Sequence, residues 1–102
     1  MKKFLKKIFF TLSPFLLYKI SGNSMLPKYK IDDTVIVRKL ALRLKVNDVV
    51  ILTHPQTGRL LLKRIKKIKK KTYFVLGDNE RESTDSRNFG WIQRNNIIGK
   101  VI

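Results

Sequence analysis

Beyond Ile31 the chain is cut every few residues by a turn former, and the pieces between the cuts are only long enough for strands. "TVIVRKL" (Thr34 to Leu40) is β-branched and follows an Asp-Asp turn, and "DVVILTH" (Asp48 to His54) follows "KVN". "HPQTG" is a turn signal, after which "RLLLKRIKKI" (Arg59 to Ile68) returns as the second arm of a hairpin. A lysine bend leads into "TYFVLG" (Thr72 to Gly77), and "GWI" and "IIGKVI" come late. Short strands at this spacing predict a mainly β fold: a small, twisted, partly closed β-barrel-like core. With 102 residues there is room for one such domain, assigned to residues 20–102, with no internal repeat and no linker. Hydrophobic residues make up 43% of the chain, enough to exclude a disordered tail.

The first nineteen residues read differently. "MKKFLKKIFFTLSPFLLYKI" carries four lysines in its first seven positions, and an apolar run from Ile8 to Tyr18 follows. A helix needs about 20 apolar residues to span a bilayer, so this run is too short to cross. On a helical wheel Phe4, Leu5, Ile8, Phe9, Leu12, Phe15 and Leu16 share one face, and Lys2, Lys3, Lys6 and Lys7 the other. That pattern predicts an N-terminal amphipathic helix over residues 1–19, lying on an anionic membrane surface. A removed signal peptide and a helix packed on its own domain are the alternatives. The whole chain has 23 Lys and Arg against 7 acids, a net charge of +16. Such a balance calls for a polyanionic neighbour, either a membrane face or nucleic acid.

Two stretches carry candidate chemistry. In "RLLLKRIKKI", alternation puts Leu61, Lys63 and Ile65 on one face and Leu60, Leu62 and Arg64 on the other. Both faces of the first half are apolar, so Lys63 is the lysine expected to lie away from water. Burial disfavours an ammonium and makes a lysine available as a base near neutral pH; the plainer expectation is that Lys63 reaches the surface like its neighbours. "GDNERESTDSRNFGW" (Gly77 to Trp91) holds four of the seven acids. Gly77 and Asn79 suit positive-φ positions. Ser83, Asp85, Ser86 and Arg87 are close enough to interlock, for example through an Asp85–Arg87 ion pair. Such a loop is long for a plain connection.

A third stretch, "SGNSMLP" (Ser21 to Pro27), places Ser24 on a tight turn after the apolar segment. The order "SGNSMLP", "LLLKRI", "GDNERESTDSR" resembles the type I signal peptidase family of Ser/Lys endopeptidases, and the likeness runs from about Ile20 to the end of the chain. It implies a mostly β catalytic core in which Ser24 is the nucleophile and Lys63 the general base. It also implies that Ser83 helps to orient the lysine, and that Asp85 and Arg87 brace the site as a salt-bridged pair. The backbone N–H of Ser24 is the natural oxyanion donor, on a turn kept open by Gly22. Some members carry a hydroxyl at the position of Gly22, so the second donor falls to Ser21 or to a backbone N–H. Met25 and Leu26 would line the cleft floor, and Pro27 would fix the exit of the turn.

Asn47 departs from the glycine usual before Asp48, and Glu80 stands where an arginine is commoner. A large β insertion and a full transmembrane helix of the bigger members are missing, so the chain reads as a catalytic core alone. The resemblance implies a leader-bearing protein substrate. It leaves open a general leader-peptide peptidase and a dedicated maturation protease, similar to the one that trims nickel-type superoxide dismutase.

Other chemistries fit poorly. There is no cysteine, which excludes disulfides, thiolate metal sites and cysteine nucleophiles. His54 is the one histidine and reads as a turn residue, against a Ser-His-Asp triad; no metal or cofactor site is expected. "KRIKKIKKK" (Lys63 to Lys71) has seven basic residues in nine, so a basic β-barrel that binds nucleic acid is an alternative, disfavoured because aromatics are not interleaved. A catalytically inactive membrane-surface binding protein is the other.

Overall fold

The computed structural model describes residues 14–39 and 43–102, together with the backbone of Ile8 and Phe9. Its eight strands are β1 (Ile8–Phe9), β2 (Phe15–Lys19), β3 (Thr34–Lys39), β4 (Val49–Thr53), β5 (Leu60–Lys69), β6 (Thr72–Leu76), β7 (Ile92–Gln93) and β8 (Ile97–Val101). One short helix, α1 (Ser86–Phe89), and two 3-10 turns complete the described elements. The mainly β expectation holds, and the strands after Ile31 lie close to where the turn formers placed them.

All pairings are antiparallel, in the order β1-β2-β3-β8-β4-β5-β6-β7. The final strand enters between β3 and β4 and so joins the two halves of the sheet. Among the described residues the two outer strands do not pair with each other; the sheet is open and the expected partial closure into a barrel is absent.

β4 lies at the centre of the apolar packing. Val49 and Ile51 on one face join Leu16, Tyr18, Ile20, Met25, Val37 and Leu62. Val50 and Leu52 on the other join Ile65, Tyr73, Val75, Ile92 and Ile97. A strand buried on both faces reads as a continuous apolar run, which is the pattern of "VVIL". The β4–β5 hairpin turns at "HPQTG", where Gly58 has φ +74. His54 Nδ1 accepts from the backbone N–H groups of Gln56 and Thr57, as befits a turn residue.

Helix is not what the end of the N-terminal segment forms. Phe15–Lys19 pairs with β3 in register from Phe15↔Arg38 to Lys19↔Thr34, and Ile8 and Phe9 pair with Tyr18 and Leu17. Leu16 and Tyr18 point into the core while Leu17 is exposed, a period of two. The rest of the predicted helix lies outside the described residues. Among the described residues no helix is long and apolar enough to cross a membrane.

Candidate active site

β5 is paired with β4 along Leu60–Arg64, and alternation sends Lys63 and Arg64 to opposite sides of the sheet. Lys63 is buried, and its Nζ lies 2.6 Å from Ser24 Oγ. Burial pushes the Lys63 amine down to about 8; the Asp85 carboxylate opposes that shift and the Arg59 charge reinforces it. The structure therefore brings together the two residues named first in the sequence, an alcohol and a desolvated amine.

Arg64, on the other side, makes a two-pronged pair with Asp78: Nε to Oδ1 and Nη2 to Oδ2, both 2.9 Å. Its Nη1 donates to the Asn47 carbonyl at 2.8 Å. Asn47 has φ +81, so asparagine fills a left-handed position that glycine also tolerates. The departure at this position is conformationally silent.

The loop after β6 holds the Ser24 turn from the other side. Asn79 donates its backbone N–H to the Ser24 carbonyl at 2.8 Å and its side-chain amide to the Asn23 carbonyl at 3.0 Å. Neither Gly77 nor Asn79 takes the positive φ expected of it; Asn79 has φ −94. The need for glycine at position 77 is one of space. A Cβ there would run into the Ser83 hydroxyl and lie 2.7 Å from the Ser24 carbonyl oxygen. Gly77→Ala is expected to push these two walls apart, lowering the melting temperature by an amount matching about 1–3 kcal/mol and depressing cleavage. A thermal melt alongside a peptide-cleavage assay checks both.

Asp85 is fully buried at the hub of this loop. Its Oδ2 accepts from Ser83 Oγ at 2.6 Å, the Gly77 N–H at 3.0 Å and Arg87 Nη2 at 3.0 Å. Its Oδ1 accepts from Arg87 Nε at 3.0 Å and from the Arg87 N–H at 3.1 Å, which caps α1. Burial pushes the carboxyl up, but the bonds from Arg87, Ser83 and Gly77 outweigh it and hold the group at about 2. Ser86, beside it, serves the fold: its Oγ accepts from the Val75 N–H at 2.9 Å and ties α1 to β6.

The remaining candidates divide. A cleft of about 160 Å³ beside the Ser24–Lys63 pair is lined by Ser21, Gly22, Asn23, His54, Arg59, Leu61, Glu82 and Thr84. Gly22 has φ +88 and open space around it, which gives the turn its exposed bend. Ser21 is also hydrogen-bonded to Tyr18, whose hydroxyl is raised by burial. Met25 is buried in the core and lines a second, smaller pocket of about 60 Å³ that also touches Ser24 and Lys63. Leu26 is outside the set of residues lining the cleft. Sequence reasoning did not single out Arg59, Arg64, Asp78 or the role of Asn79. For Arg64 the run "KR" on a strand was a signal, since adjacent residues there must serve opposite faces. No group of three or more potential metal ligands occurs among the described residues.

Comparison with known proteins bears on the second half of this site. Residues 65–102 match the family described as signal peptidase, peptidase S26. A stretch of 35 residues, 34% of this chain, is 51% identical to signal peptidase I of Buchnera aphidicola subsp. Baizongia pistaciae (strain Bp), and it spans 11% of that protein's length. The family match takes in the loop with Ser83, Asp85 and Arg87 and the strands β6 to β8; Ser24 and Lys63 precede it. Both similarities are to signal peptidases; each covers well under half of the chain, and the mainly β antiparallel sheet agrees with the resemblance read from the motifs.

Proposed function

We propose that the protein is an endopeptidase that removes leader peptides, with Ser24 as nucleophile and Lys63 as general base. The observation that carries this reading is the 2.6 Å contact between Ser24 Oγ and a buried amine whose proton is held only to about pH 8. A serine hydroxyl needs a base to take its proton, and lysine serves only when it is already neutral.

The neutral Lys63 amine accepts the Ser24 proton as Oγ attacks the scissile carbonyl. The resulting oxyanion faces the Ser24 backbone N–H, on the turn opened by Gly22. The Lys63 ammonium then protonates the departing amine, leaving an acyl group on Ser24 Oγ. Water, deprotonated in turn by Lys63, attacks this ester and releases the second product. Ser83, Asp85 and Arg87 support the reading as a brace: Asp85 fixes Ser83 and Gly77 around the turn while its charge is spent on Arg87. The substrate backbone has a place to lie. β6 pairs with β5 only from Arg64 onward, so among the described residues Leu60–Lys63 has β4 on one side and no strand partner on the other. An extended peptide can add there as a strand. The four lysines of the first seven residues would hold the enzyme at an anionic membrane face.

The test is capture of the acyl intermediate. A leader-type peptide ester mixed with the full chain and quenched in acid is expected to add its acyl mass to the tryptic peptide containing Ser24. Ser24→Ala should show no adduct and no cleavage. Cleavage that persists in Ser24→Ala would overturn the reading.

A further inference from the structure

Arg59 immediately precedes β5, the strand that carries Lys63, and lies four residues before that lysine. Arg59, Leu61 and Lys63 all line both of the pockets that adjoin Ser24, as alternation along an extended run allows. The residue is exposed, and among the described residues its guanidinium has no ion-pair partner. The other guanidinium groups near the site are committed: Arg64 to Asp78 and Arg87 to Asp85. Leu60, Leu61, Leu62, Ser21 and Ser24 supply no charge to the walls, and Glu82, which lines the larger pocket, accepts from the Asn79 side chain at 3.1 Å. A free guanidinium beside an unpaired strand edge is positioned to meet a side chain of whatever peptide occupies that edge.

We propose that Arg59 is a specificity-determining residue that selects substrates with an acidic side chain near the cut. The inference rests on the Ser24–Lys63 reading above. At ~3.3 Å per strand residue, Arg59 stands about 13 Å from Lys63 along β5. The recognised acid is therefore within about four residues of the scissile bond. Guanidinium suits this task because its planar fork binds a carboxylate through two parallel hydrogen bonds. A neutral side chain in its place loses that contact, and a lysine is repelled.

A set of fluorogenic leader-type peptides tests this, with Asp, Ala or Lys placed singly at each of the four positions on either side of the cut. The full chain is expected to show one position at which Asp raises kcat/KM about tenfold over Lys, a difference of ~1.4 kcal/mol. Arg59→Glu should invert the order at that position, and Arg59→Lys should keep it. Turnover without charge preference at any position, or a preference that Arg59→Glu leaves unchanged, overturns the assignment while the Ser24–Lys63 reading stands. Absence of turnover and of a Ser24 adduct for every peptide removes that reading, and this inference falls with it.

Discussion

Lys63→Met is expected to lower kcat/KM for a leader-type peptide by at least ~10³-fold, the scale on which general bases act, while the folded protein becomes no less stable. The two halves of this result follow from one fact. The Lys63 amine is buried, and the fold holds its proton only to about 8 against an ordinary value of 10.5. A base whose folded value is depressed is neutral in the native chain and charged in the unfolded chain between those two pH values. Native stability therefore rises with pH through that window, and below pH 8 the full penalty of the buried ammonium remains. At ~1.4 kcal/mol per pH unit that penalty is about 3 kcal/mol, before the hydrogen bond to Ser24 is set against it. Methionine fills the same volume with no charge to desolvate. Urea unfolding at pH 7 should place Lys63→Met at or above the wild type, and the wild-type rise in midpoint between pH 8 and 10 should be missing from the variant. In parallel, wild-type kcat/KM should climb with pH through about 8 as the base is uncovered. A variant that cuts normally sinks the base assignment. A variant that unfolds shows that the amine was holding the fold together.

Asp85→Ala should be the most damaging single change to the fold. It removes a fully buried carboxylate and leaves the Ser83 hydroxyl, the Gly77 N–H and the Arg87 guanidinium without their acceptor. It also uncaps α1. Breaking one side of a buried ion pair costs about 3–5 kcal/mol, a large share of the ~5–15 kcal/mol typical of a whole domain. The Arg87 side of the pair is exposed, which places the loss toward the lower end. The acid limb gives a second reading. Asp85 is held at about 2 against an ordinary value of 3.8, so its ionised form is favoured by folding. Its contribution of about 2 kcal/mol is complete above pH 4 and is lost as pH falls toward 2. Denaturant midpoints measured from pH 5 down to pH 2 should fall steeply for the wild type and more gently for Asp85→Ala. Equal slopes would remove the carboxylate from the account of the loop.

The sheet was legible in the sequence because turn formers bracket each β-branched run, and Thr34–Lys39, Val49–Thr53 and Thr72–Leu76 needed no more than that. Phe15–Lys19 was misread for a definite reason. Leu16 and Tyr18 satisfy a period of two within five residues, and the longer run around them satisfies a period near 3.6; a window so short does not separate the two. The missing closure had no local signature, since whether the outer strands meet depends on the accumulated twist of the whole sheet. At the site, Lys63 stood out by the apolar residues on both sides of it. Its partner was legible only through the family resemblance, because the contact with Ser24 spans 39 residues. The Arg64–Asp78 pair was hidden by the irregular register of β5 against β6, which shifts between Ile65 and Lys67. Gly77 was noticed, but for its freedom of φ; the crowding that requires it comes from Ser83 and Ser24, two segments that are remote from each other in the chain.

The reach of that Ser24–Lys63 contact has a consequence for the life of the molecule. In an unfolded or half-synthesised copy the two side chains are strangers in water, the lysine is a plain cation and the serine an inert alcohol. On the proposed reading, reactivity is switched on by the completion of the fold itself, once the strand bearing the amine docks against the bend bearing the alcohol. A nascent chain would then carry no competent cutter that could nick its siblings, and any copy that loses its shape would disarm itself.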